Sequence, residues 1–203
     1  FDYFISINNA NYIKKTNSNL KKITNLGYIG DYKFKKKKEE AIEIRNYLQK
    51  NGAKYIIGLF DQGNAEDEVF QIGYHVYKKG YEFLLKKMLS NKALGLIIKP
   101  KKPRFLMQKL GDSYNLLLKA KETGRLIVFD KHPEYHSKNF EDIPAKVGFA
   151  SNITIHDTLL AGTAGLESAL TGCKSLYFDY HNSKKSLFLK NNLKIVFNDW
   201  KVL

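Results

Sequence analysis

Ile155-His-Asp-Thr-Leu-Leu-Ala-Gly-Thr-Ala-Gly-Leu-Glu-Ser-Ala-Leu-Thr-Gly-Cys-Lys-Ser-Leu-Tyr-Phe-Asp179 sets a run of small residues between two apolar segments. Asn152-Ile-Thr-Ile155 and Ser175-Leu-Tyr-Phe178 are short and rich in β-branched or aromatic residues, so both read as buried strands. Between them Gly162 and Gly165 make a turn, a helix runs from about Thr163, and Gly172 closes it. Strand, helix and strand in that order form the crossover unit of a parallel sheet.

The same grammar recurs upstream and downstream. Ala41, Ile44 and Leu48 have helical spacing, which Asn51-Gly52 stops, and Tyr55-Ile-Ile-Gly-Leu-Phe60 is a strand closed by Asp61-Gln62-Gly63-Asn64. A helix from about Glu66 to Leu89 leads to the strand Leu94-Gly-Leu-Ile-Ile98, and a helix from about Phe105 to Glu122 leads to Leu126-Ile-Val-Phe129. Short helices near Pro144 to Phe149 and Lys184 to Asn191 precede the strands at Asn152 and at Leu193-Lys-Ile-Val-Phe197. The expectation is an α/β fold, a Rossmann-like parallel sheet with helices on both faces, over residues 33–203. Phe1 to Ile7 reads as a strand, Tyr12 to Ile23 as a helix and Leu26-Gly-Tyr-Ile29 as another short strand. Residues 1–32 therefore read as the end of a preceding domain with its connector. Phe1 stands where an initiator methionine would, so a piece of a longer protein is expected.

A net charge of +14 invites a nucleic-acid reading, because clustered cations release counterions from a phosphate backbone. The kind of charge argues against it. Only Arg45, Arg104 and Arg125 are arginines, leaving 34 − 3 = 31 lysines, whereas base and phosphate recognition draws on the planar arginine fork. No dedicated nucleic-acid binding is expected, while the surplus suits an anionic membrane surface or a phosphorylated ligand. The run Lys35 to Lys38, followed by Glu39 and Glu40, reads as a solvated first helical turn. With Cys173 the only cysteine, an internal disulfide is impossible, which fits a reducing cytoplasm, and Cys173 itself reads as a packed small side chain. No window approaches the roughly 18 apolar residues of a membrane span, so a soluble chain is expected.

In an open parallel sheet, ligands bind outside the carboxyl ends of the strands. Gly162 and Gly165 let backbone N–H groups approach an anion at the start of the helix, where a phosphate is favoured. Thr163 and Glu167 are four apart, whereas a reciprocal capping box needs three, so that box does not explain the glutamate. A carboxylate one turn above a phosphate is placed to accept hydrogen bonds from a ribose diol; plain helix-end electrostatics is the other reading. His156, ending a strand just before the turn, reads either as a donor-site residue or as a hydrogen-bonded strand end. His132 and His136 flank Pro133-Glu134-Tyr135 with no evident third metal ligand, so a polar loop and no metal site are expected.

Ala161-Gly-Thr-Ala-Gly-Leu-Glu-Ser-Ala-Leu-Thr-Gly-Cys-Lys-Ser-Leu-Tyr-Phe178 resembles the donor-binding signature of GT-B glycosyltransferases, and Ala150-Ser-Asn-Ile-Thr-Ile-His156 resembles the strand leading into it. Leu26-Gly-Tyr-Ile-Gly-Asp31 resembles the passage from acceptor to donor domain, and Ile97-Ile-Lys-Pro100 a further strand end of the donor half. The pattern is similar to bacterial surface-polysaccharide enzymes, including capsular Kdo transferases and CDP-glycerol glycerophosphotransferases. The resemblance runs from about Leu26 to Asp199 and is specific from Ala150 to Asp179.

The resemblance implies a metal-independent, cofactor-free transferase that takes a nucleotide-sugar of UDP or CMP type and passes its sugar to a saccharide or lipid-linked acceptor of a capsule or lipopolysaccharide. It would work in the bacterial cytoplasm, peripheral to the inner membrane. Gly162, Thr163, Ala164 and Gly165 would face the donor phosphates and Glu167 would hold the ribose with help from Ser168. Asp61, Gln62 and Gly63 would contact phosphate or sugar or serve as a plain loop. Lys99 would neutralise the diphosphate leaving group or be one surface lysine among many. Residues 1–32 would close the acceptor domain, which would also supply the unidentified general base. A polyol-phosphate transferase of CDP-glycerol type or a nucleotide-sugar epimerase shares this architecture. A basic, non-enzymatic module on nucleic acid or an anionic membrane is the reading from a different class.

Overall fold

A computed structural model of the 203-residue chain describes residues 3–6, 22–62, 73–130, 142–159, 162–183, 186, 188–189 and 193–202. The expected loop at Gly63, the expected helix start at Glu66, most of the helix near Lys184 to Asn191, and both His132 and His136 lie outside these residues. The chain divides into two compact units, Phe1–Lys36 and Lys37–Leu203.

In the first unit, β1 (Tyr3–Ser6) pairs in parallel with β2 (Lys22–Asn25), Tyr3 opposite Lys22 and Ser6 opposite Asn25. This corrects two expectations. Ile23 belongs to a strand rather than a helix end, and Leu26 to Ile29 form no strand, since Gly27 at φ +73° takes the chain out of extended backbone just after β2.

In the second unit, α1 (Phe34–Lys50), which begins in the first, leads to β3 (Tyr55–Phe60). Next come α2 (Tyr74–Ser90), β4 (Leu94–Lys99), α3 (Leu106–Leu110), α4 (Tyr114–Glu122) and β5 (Leu126–Val128). The chain ends with α5 (Pro144–Ala150), β6 (Ile153–His156), α6 (Thr163–Ala169), β7 (Lys174–Phe178) and β8 (Val196–Phe197). The single helix expected from Phe105 to Glu122 is broken at Gly111, whose φ of +50° lies in the left-handed region. The strand expected from Leu193 to Phe197 shrinks to β8, although Ile195 still accepts a hydrogen bond from Tyr177 N–H at 2.8 Å.

Six strands form one wholly parallel sheet in the order β5-β4-β3-β6-β7-β8. Counted from β3, this is 3-2-1-4-5-6, the order of doubly wound Rossmann sheets. Side chains alternate across a strand, and the core follows that alternation. Ile56, Phe60 and Ile97 pack with Ala41 and Leu48 of α1 and Val147 and Ala150 of α5. Leu59, Leu96 and Ile98 pack instead with Leu84, Leu85 and Met88 of α2 and Leu117 and Ala120 of α4. Two apolar layers therefore sandwich the sheet, as continuous apolar strands require.

The lysine run also departs from expectation. Lys35, Lys36 and Lys38 are exposed, but Lys37 is buried and donates to both carboxylate oxygens of Glu40 at 2.8 and 2.9 Å. Glu40 pairs as well with Lys146 of α5 at 2.9 Å, so this carboxylate ties α1 to α5. Among the described residues, no helix is long and apolar enough to cross a membrane.

Candidate functional site

Neighbouring strands β3 and β6 lead away in opposite directions, β3 toward β4 and β5 and β6 toward β7 and β8. That reversal is the point at which Rossmann sheets open a crevice beyond their carboxyl ends. At this edge Phe60 is in register with Lys99 on one side and His156 on the other, and His156 with Tyr177. Residues in register on parallel strands project to the same face. Lys99, Phe60, His156 and Tyr177 thus form one row on the face covered by α1 and α5.

His156 is buried between the rings of Phe60 and Tyr177, with centroids 6.3 and 6.0 Å away. Its Nδ1 lies 2.8 Å from the carbonyl oxygen of Thr158. A carbonyl can only accept, so Nδ1 carries the proton and Nε2 is left as an acceptor. Burial pushes the imidazole below its usual pKa and keeps it neutral.

Lys99 is half-buried, and desolvation lowers its ammonium pKa although the charges of Asp142, Glu167 and Asp61 act the other way. Among the described residues no carboxylate comes within ion-pair distance of that ammonium, because Asp142 is bonded to Lys146 at 3.0 Å and Asp61 to Lys109. A desolvated cation with no ion pair is suited to an anionic ligand.

The glycine turn meets a different neighbour than expected. A Cβ on Gly162 would lie 2.5 Å from Tyr177 Cε1, and one on Gly165 would lie 2.7 Å from Tyr177 Oη and 2.8 Å from its ring. Both glycines make room for this tyrosine and let α6 settle on β7. Thr163 is exposed and Ala164 packs against the α1 and α5 layer. Glu167 accepts a hydrogen bond from Ala145 N–H at 2.9 Å and so caps the first turn of α5. Ser168 is fully buried in a hydroxyl chain, 2.9 Å from Thr154 Oγ1, which in turn lies 2.8 Å from Ser175 Oγ. It presents no surface to a ligand.

Asp61 is turned to the opposite face. Its carboxylate accepts from Tyr81 Oη at 2.9 Å, from Lys101 N–H at 2.6 Å and from the Lys109 ammonium. Gln62 is partly exposed at the rim, held by Lys109 on its carbonyl at 3.0 Å and by Lys101 on its side chain at 3.2 Å. Lys99, His156 and Glu167 are therefore brought to one face, Gln62 to the rim between faces, and Asp61 to the other face. Lys109 and Tyr81 were not anticipated. The available signal was Lys109 on the apolar stripe of its helix, between Leu106 and Leu110, where a lysine needs a buried partner.

Among the described residues, no group of three or more His, Cys, Asp or Glu is placed to hold a metal. The sheet order and the helices on both faces define a Rossmann-like α/β protein. Compared with known proteins, the chain matches no family model, no curated protein and no solved structure.

Proposed function

We propose that this chain is the donor-binding half of a GT-B glycosyltransferase, holding a nucleotide-sugar at the carboxyl edge of β3, β4 and β6. The observation that carries the reading is the row Lys99, Phe60 and His156 beside Glu167 at the sheet's reversal point. Lys99 offers an unneutralised ammonium to a diphosphate and stabilises it as it leaves, with no metal required. His156 Nε2 accepts from a ligand hydroxyl. Glu167, which accepts from Ala145 N–H on α5, brings its carboxylate to the same face as Lys99 and His156, where a ribose diol would be held. The segment from Ala150 to Asp179 supplies the sequence support for glycosyl transfer rather than for nucleotide binding alone. The acceptor, a surface polysaccharide or its lipid-linked precursor, is bound by the other half, working in the cytoplasm at the inner membrane.

The test is a thermal-shift titration against UDP, CDP, CMP, GDP and ADP at fixed salt. A ligand at about 100 times its Kd stabilises the native state by roughly 2.7 kcal/mol. One nucleotide should raise Tm selectively, and Lys99→Met should abolish the rise. No rise with any of the five, or an equal rise in Lys99→Met, would remove the proposal.

A further inference from the structure

The opposite face of the same edge carries a charged group that the nucleotide reading leaves unused. Asp61 follows β3 and Asp157 follows β6, and both are buried, as is Lys109 of α3. Tyr77 and Tyr81 of α2 face them, together with Tyr180 after β7 and Lys101 after β4, while His156 turns to the other side of the sheet.

The donors are shared unequally. The Lys109 ammonium, the Tyr81 hydroxyl and the Lys101 N–H all point at Asp61. Asp157 Oδ1 is buried with no hydrogen-bond partner among the described residues. One buried ammonium neutralises one carboxylate, and a second ionised carboxylate beside it would be an uncompensated buried charge, which proteins avoid by protonation. We infer that Asp157 carries a proton, so that beside the ion pair of Asp61 and Lys109 it completes a neutral latch at the ends of β3 and β6 against α3.

Burial first, and then the charge of Asp61, push the Asp157 carboxyl well above the ordinary aspartate value of 3.8, with Lys109 and the backbone N–H groups of Gln62 and Asp157 opposing. A native state that keeps its proton longer than the unfolded chain is stabilised at low pH. That stability is lost as pH rises from near 3.8 through the raised native value. Ionising Asp157 sets two carboxylates against one ammonium and loosens the hold of Lys109 on the Gln62 carbonyl at the crevice rim.

The experiment is a carbon-13 NMR titration of the aspartate carboxyls in the full chain, with melting temperatures of wild type and Asp157→Asn across the same pH range. One carboxyl should stay protonated well above the ordinary aspartate value of 3.8 and be missing in Asp157→Asn, whose Tm should fall less than wild type as pH rises. Ordinary titration of every aspartate, or parallel Tm curves, would overturn the latch. Lys109→Met gives a second arm: without the opposing cation the Asp157 carboxyl should titrate higher than in wild type, and an unchanged or lower titration contradicts the inference. If either variant does not fold, the wild-type titration decides alone.

Discussion

Tyr177 sets the local rules at the glycine turn. Its ring occupies the space that side chains at positions 162 and 165 would need, and its hydroxyl donates to the Gly162 carbonyl at 3.4 Å. Gly165→Ala should therefore cost about 1–3 kcal/mol by overpacking, measured by denaturant titration. Unchanged stability with lost nucleotide binding would instead mark the glycine as a phosphate contact. At Glu167 the two substitutions separate two jobs. Glu167→Ala should lose about 1 kcal/mol with the cap on α5, whereas Glu167→Gln keeps an acceptor for Ala145 N–H and should lose ribose affinity with less of that stability. Lys99 adds a pH signature: because only its ammonium binds an anion and burial lowers its pKa, nucleotide affinity should fall on alkaline titration before the ordinary lysine value of 10.5. Such residue roles were only partly legible in the sequence. The positions of Lys99, Asp61 and His156 at strand ends could be read from the apolar runs before them. Their division between two faces could not, because it depends on register between strands far apart in sequence.

At the scale of elements, the end of α2 is organised by a residue the motifs did not single out. Arg125, buried just before β5, donates to the carbonyls of Met88, Asn91 and Leu94 at 3.1, 2.9 and 2.7 Å. All three are reached from one nitrogen, Nη1, whose two N–H groups they share, and its loss leaves them without that donor at the helix end. Arg125→Met should cost about 3 kcal/mol in urea unfolding, and Arg125→Lys should recover only part, since the shorter, more strongly hydrated ammonium must be desolvated at the buried position. A cost below about 0.5 kcal/mol would mean that water replaces the guanidinium. The strands were easy to anticipate because burial on both faces makes them continuous apolar runs bounded by Gly, Asn or Pro. The break at Gly111 was harder, since apolar spacing continues across it from Leu106 and Leu110 to Leu117. Lys37 was misread because a charge run carries no mark of which member faces Glu40 and the core.

For the whole molecule, alternating strands and helices announced a parallel sheet, but not the order 3-2-1-4-5-6. That order arises when the chain reverses direction across the sheet after β5, and it alone brings β3 beside β6, the position where Rossmann sheets bind their ligands. The Lys109 to Asp61 contact spans 48 residues and depends on β3 lying beside β4, which is why pairing from local sequence missed it.

The most direct measurement is amide NMR mapping of the full chain during titration with whichever nucleotide gives the largest thermal shift. Perturbations should concentrate at Gln62, Lys99, His156 and Glu167, with residues at the amino ends of the strands, such as Tyr55 and Lys174, unmoved. Perturbations centred elsewhere, or a smooth salt-sensitive response spread over the surface lysines, would contradict a nucleotide site at the crevice.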